Sequence, residues 1–243
     1  MPGGHASPHT AGHLHPGKHL MDTTPTPAGR PLAVWKGLTV SYVTPWAGER
    51  NISRDHLLLD NGGLRYSDEH SEDRDPRGGL WERWDGTYGD GAPQFGPFNS
   101  ERQHTAMEHL LCQVCARPAD RTTKGYLFLE PGRATVSKLE GSRTVQPPLC
   151  LPCALIARAQ CPRLRNYVAL RARKPSVWGL YGTAYVSCPR LAQRPTSSLA
   201  VDRECSVAYG TPELPYVLGN QLVREYRRVT IVNLDEEAAR HTA

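Results

Sequence analysis

Two short cysteine pairs carry the clearest chemistry in this chain: Cys112-Gln113-Val114-Cys115 and Cys150-Leu151-Pro152-Cys153. Two residues between cysteines allow one tight turn to aim both sulfurs at a single ion. Two such turns close a tetrahedral shell, and zinc favours thiolate donors in structural sites. The pairs therefore predict one structural Zn2+ held by Cys112, Cys115, Cys150 and Cys153. A closed shell keeps no open position for substrate or water, which argues against a catalytic metal.

A redox reading competes for the second pair, because Cys-Leu-Pro-Cys at a helix start resembles a thioredoxin-type site. That reading lacks the strand expected just before the pair, where Pro147-Pro148 stands, and gives the first pair no role. Cys161, Cys188 and Cys205 read as core residues, since free cysteine is commonly buried.

The second candidate site is basic. From Arg163 to Arg173 the residues alternate, with Leu164, Val168, Leu170 and Ala172 on one face and Arg163, Arg165, Tyr167, Arg171 and Arg173 on the other. A period of two predicts a half-buried strand. Arginines neutralise phosphates and a tyrosine among them stacks on a base, so this outer face is a nucleic-acid candidate; a solvated strand face is its alternative. A third group, Asp55, His56, Asp68, Glu69, His70, Asp73 and Asp75, supplies acid–base side chains, with Trp81 and Trp84 as candidate pocket walls. Its default reading is a solvated loop.

Stepping outward to the elements, the leader 1–31 is Gly, Pro, Thr and His with few large apolar groups, and reads as disordered. His5, His9, His13, His15 and His19 lie in it, and Met21 is an alternative start. Residues 32–98 read as β-rich: a strand over Leu38–Val43, a hairpin over His56–Tyr66 with Asn61-Gly62 as a type I′ turn, and a short strand over Leu80–Trp84. Residues 99–235 read as the zinc-stapled α+β part. There Ser100 and Gln103 form a capping box for a helix with Ala106, Met107, Leu110 and Leu111 as its stripe. A hairpin over Gly125–Val136 separates the pairs, and a helix follows Cys153 until Pro162. Tyr181–Val186 reads as a strand, 189–206 as a loop, Val229–Val232 as a last strand. Thr211-Pro212 opens a C-terminal helix carrying Leu218, Leu222, Val223 and Tyr226. Residues 236–243 read as a solvated tail.

Turn, hairpin, then a second pair at a helix start is the layout of a treble-clef finger. It is similar to nucleases of the HNH type, which often carry two CxxC pairs. That family needs a histidine base, and no histidine lies between Cys115 and Cys150. His104 and His109 precede the first pair, where a surface or core role is expected, so such a relative would be inactive. Across residues 35–235 the chain resembles an uncharacterised actinobacterial zinc-finger-like family. The resemblance rests on Tyr42-Val43-Thr44-Pro45-Trp46, on Leu111 to Cys115 with Pro118-Ala119-Asp120-Arg121, on Pro148 to Cys153, and on Val207-Ala208-Tyr209-Gly210. It implies a bacterial cytoplasm and no particular activity.

The bulk composition fits this picture. Of 243 residues, 39% are hydrophobic, with 22 Gly and 21 Pro, so irregular structure is plentiful and a metal staple supplements a modest core. The net charge of +5 permits an acidic partner without requiring one. No stretch approaches the roughly 20 apolar residues of a membrane helix, and no secretory signal opens the chain. Four of seven cysteines in CxxC pairs suggest metal in a reducing cytoplasm. The expectation is thus a cytoplasmic α+β protein with irregular, small antiparallel sheets. It binds nucleic acid, or alternatively serves as a protein–protein adaptor.

Overall fold

The computed structural model describes residues 31–187 and 199–242. The leader with its histidines and Met21, and Cys188, lie outside the described residues, as does the 189–198 part of the expected loop. The described chain is α+β, with small sheets and four α-helices. None of these helices is long and apolar enough to cross a membrane.

Two sheets carry the architecture. The four-stranded sheet runs in the order Val229–Val232, Tyr167–Ala172, Gly125–Pro131, Arg121–Thr122, all antiparallel. Its second strand is buried on both faces. Val168, Leu170 and Ala172 meet Phe128, Leu139, Tyr226 and Val229 on one side. Ala169 meets Leu127, Leu129 and the paired cysteines on the other. The helices Leu151–Gln160 and Leu234–Thr242 border that second side, Leu234 entering the same core. The larger sheet runs Arg143–Thr144, Val217–Glu225, Ser176–Ser187, Leu199–Ala208, with Leu80–Trp81 added parallel to Val217–Glu225. The helix Ser100–Glu108 is fastened to this sheet through Gln103: Leu222 N donates to its Oε1 at 2.8 Å and its Nε2 donates to Leu222 O at 3.1 Å.

Several expected elements change identity. Val217–Glu225 is a central strand, not a helix. Its apolar side chains serve cores on both faces, with Val217 and Leu222 in one and Leu218 in another, so spacing along the chain imitates a helical stripe. The C-terminal helix lies later, over Leu234–Thr242, where a solvated tail was expected, and it buries Glu237. Residues 199–206 of the expected loop belong to the strand Leu199–Ala208. Gly125–Pro131 does not fold onto the residues after it, because Val136–Leu139 is a short helix. Its hairpin partner is the preceding strand, Arg121–Thr122. Asn99, not Ser100, caps the Ser100–Glu108 helix, its Oδ1 accepting from Arg102 N at 3.1 Å. The Leu57–Asp60 and Gly63–Tyr66 hairpin forms as expected, but its positive φ falls on Gly63 (+117°) and not on Asn61-Gly62. Asp60 Oδ1 accepts from Gly62 N at 2.9 Å, stabilising an ordinary turn in its place.

Candidate metal centre

The helix Ser100–Glu108 delivers the first cysteine pair. Leu110 sits in the left-handed region (φ 53°), and Leu111 N donates to Ala106 O at 2.8 Å, a closure that ends the helix and turns the chain outward. Buried Arg224 adds to this closure by donating to the carbonyls of Met107 and Glu108 at 2.7 and 3.0 Å. The next turn is a knuckle. Ala116 N donates to Cys112 O (2.8 Å), Cys112 N to Arg117 O (2.7 Å), and Ala116 takes φ 59°. The second pair starts a helix: Cys150 precedes Leu151–Gln160, Pro152 occupies the first turn, and Ala154 N donates to Cys150 O at 2.9 Å. Backbone bonds join the two turns, Gln113 N to Pro148 O (3.0 Å) and Asp120 N to Leu149 O (3.0 Å).

These constraints gather the Sγ atoms of Cys112, Cys115, Cys150 and Cys153 within 4.8 Å of one another, close enough for one metal ion. Cys115 Sγ and Cys150 Sγ stand 3.7 Å apart. A disulfide would need about 2.05 Å. A tetrahedron with Zn–S bonds of about 2.3 Å has S···S edges of about 3.8 Å, so the spacing suits a shared ion. Cys112 and Cys153 are buried among Leu127, Leu149, Leu151, Ala154 and Ala169, while Cys115 and Cys150 lie nearer the surface.

Hydrogen bonds among the four sulfurs couple their ionisation. A hydrogen bond from Cys112, then others in the group, draws Cys115 strongly toward thiolate; at Cys150 the bonds to Cys112 and Cys153 outweigh the opposing one to Cys115 and bring it down to about 7. Cys112 and Cys153 are pushed up in exchange, through their bonds to Cys115 and to Cys112 respectively. The backbone N–H groups of Arg117 and Cys153 also favour thiolate at Cys115 and Cys150. Four thiols in contact cannot all ionise by themselves; a divalent cation at their centre is what permits it.

The expected basic face is divided by the structure. Only Tyr167–Ala172 is strand, while Arg163 lies in the 3-10 turn Pro162–Leu164. Arg163 and Arg165 are exposed at one end of the strand and Arg173 at the other, about 20 Å of extended chain apart. Tyr167 is half-buried against the cysteine core. Arg171 is 1% exposed and cannot meet a phosphate. Its guanidinium donates to Glu237 Oε2 (2.5 and 2.9 Å), Asp120 Oδ2 (2.8 Å) and Gly125 O (2.9 Å). The helix Leu234–Thr242 supplies Glu237 and closes this face, which the alternation alone could not reveal.

In place of that face, the fold assembles a different basic corner. Arg173 N donates to Arg228 O (3.2 Å) and Lys174 N to Arg227 O (3.1 Å), joining two exposed turns. Lys124 arrives beside them through Gly125, whose φ of +110° and close approach to Ala172 and Arg173 exclude any side chain. No periodicity marks Lys124, Lys174, Arg227 and Arg228, since each sits in an ordinary-looking turn; the dipeptides Arg173-Lys174 and Arg227-Arg228 are the signal the sequence carries.

The acid–base group of the N-terminal part is also corrected. Asp73 and Asp75 are buried, not solvated. Arg83 binds Asp73 (2.6 and 2.7 Å) and Asp68 (2.8 Å). Asp75 accepts from Arg77 N, Gly79 N, Trp81 Nε1 and the Tyr209 hydroxyl, so both its oxygens are committed to holding the fold. His104 stacks edge-on against Trp81 at 4.4 Å, and burial pushes its pKa down. Trp84 Nε1 donates to Ser100 Oγ at 2.7 Å.

No family model, curated protein or solved structure matches this chain.

Proposed function

We propose that this chain is a zinc-stapled nucleic-acid-binding protein that works in a reducing cytoplasm. Zinc is the metal that best suits four thiolates at a tetrahedral spacing, two of them fully buried. The knuckle, the Arg121–Thr122 and Gly125–Pro131 hairpin, and the second pair at a helix start support a treble-clef reading. They also support kinship with the paired-CxxC actinobacterial family and, more distantly, with HNH-type nucleases lacking their histidine. The metal would be held by Cys112, Cys115, Cys150 and Cys153 and would serve as a staple.

The observation that carries the binding reading is the meeting of Lys124, Arg173, Lys174, Arg227 and Arg228 at one end of the zinc-backed sheet. Clustered cations on a rigid sheet end neutralise adjacent phosphates and release their counterions. Glu225 pairs with Arg227 at 2.5 Å and Glu140 lies nearby, so five cations outnumber the two carboxylates and the corner is net positive.

Native mass spectrometry with a salt-dependent gel-shift assay tests both halves. One zinc per chain is expected, together with retention of nucleic acid that weakens steeply with salt. An Arg173→Ala, Lys174→Ala double variant loses about one decade of affinity, while Arg163→Ala, Arg165→Ala changes little. Failure to retain any nucleic acid at low ionic strength would sink the binding half. Co-purification of a protein partner in that case favours the adaptor reading.

A further inference from the structure

Beside the basic corner, the larger sheet carries a flat stacked pair. The strand Ser176–Ser187 has a bulge against Val217–Glu225: Val177 faces Arg224, Gly179 faces Val223, and Trp178 is the extra residue. A bulge re-aims the side chain it carries. Here Val177 and Leu180 enter the core while the half-buried Trp178 ring is covered by a neighbour's side chain. That neighbour is Arg143, whose guanidinium carbon lies 3.5 Å from the centroid of the indole. Arg143 is exposed, so its guanidinium lies at the protein surface within reach of a ligand. Arg143 stands opposite Glu225, the residue that also holds Arg227 of the corner, so the stacked pair and the phosphate-binding cations are continuous.

We propose that this pair is a base-stacking platform and that the corner therefore takes single-stranded nucleic acid. The proposal rests on the nucleic-acid reading above and narrows it. A duplex keeps its bases stacked on one another and offers only their edges, so a flat guanidinium–indole face has nothing to engage. An unpaired base next to a phosphate on Arg227 or Lys174 would lie on Arg143, with Trp178 supporting the guanidinium from below. Every base has a π-face, so the platform selects strandedness and not sequence.

The test compares a labelled mixed-sequence oligonucleotide with its own duplex on the full chain at low salt. The single strand is expected to bind at least about tenfold tighter, in line with stacking of one base. Arg143→Lys keeps the charge and removes the plane, so it lowers single-strand affinity several-fold and leaves duplex affinity and the salt slope unchanged. Trp178→Phe, which keeps a ring beneath Arg143, loses less than Trp178→Ala. Equal or tighter binding of the duplex, or an equal loss on both ligands in Arg143→Lys, overturns the platform while the nucleic-acid reading stands. Absence of binding to either ligand defeats both.

Discussion

At the scale of single residues, the buried Arg171 and the half-buried Glu82 govern how this protein responds to change. Arg171 is surrounded by Glu237, Asp120 and a carbonyl, so its charge is compensated only while all three are in place. Arg171→Ala leaves two carboxylates facing each other in a dry site. It is expected to destabilise the fold by about 3–5 kcal/mol in urea denaturation, the cost of stranding a buried partner. A loss below 1 kcal/mol would mean the network is solvated. Glu82 behaves oppositely. Burial, opposed by bonds from Ser100, Asn51 and Trp84, raises its pKa from 4.5 to about 7. The folded state therefore binds a proton more tightly than the unfolded chain, and Glu82 lowers stability as pH climbs from 4.5 through 7. Glu82→Gln should stabilise the protein by roughly 1–3 kcal/mol at pH 8 and have little effect at pH 4.

At the scale of elements, the Leu234–Thr242 helix is attached largely through Leu234, the Arg171–Glu237 pair and Arg158 with Asp235 (2.5 Å). Burial resists ionisation of Glu237, yet Arg171 and then Arg240 hold its pKa below 4.5. A depressed carboxyl contributes its stability above the unfolded pKa and loses it as pH falls further. Hydrogen-exchange protection of this helix, relative to the intrinsic rate at each pH, should accordingly fall below about pH 4.5, before the sheet beneath it opens. Exchange that stays uniform across both would show the helix is held by apolar contact alone. The Asn-Gly hairpin was legible because a two-residue connection between alternating strands leaves few options. The Val217–Glu225 strand was not, because burial on both faces removes the alternation that distinguishes strand from helix.

At the scale of the whole molecule, three of the four cysteines belong to a core that Cys150 packs against, and their removal is not a local event. Cys112, Cys115 and Cys153 share one apolar cluster with Leu127, Leu129, Leu149, Ala169 and Leu234, spanning both helices and the four-stranded sheet. Stripping the proposed metal with a strong chelator should cost several kcal/mol, since metal binding and folding are one equilibrium in such sites. Near-UV circular dichroism and urea titration would register the loss, and Cys153→Ser should reproduce it. Retention of full stability in the chelator would mean that apolar burial alone holds the cluster.

The four-cysteine cluster and the α+β character were determined by sequence alone, because ligand spacing is local and two cysteines in one turn have few other uses. The strand Tyr167–Ala172 and the helix after Cys153 were equally local. Which cations meet solvent was decided only by tertiary structure. Alternation placed Arg171 outward, and a helix more than sixty residues away covered it with Glu237. The turns at Arg173-Lys174 and Arg227-Arg228 became one surface because two distant strands pair in register. A short-range pattern records which side of a strand a residue occupies, while only long-range packing settles whether that side faces water.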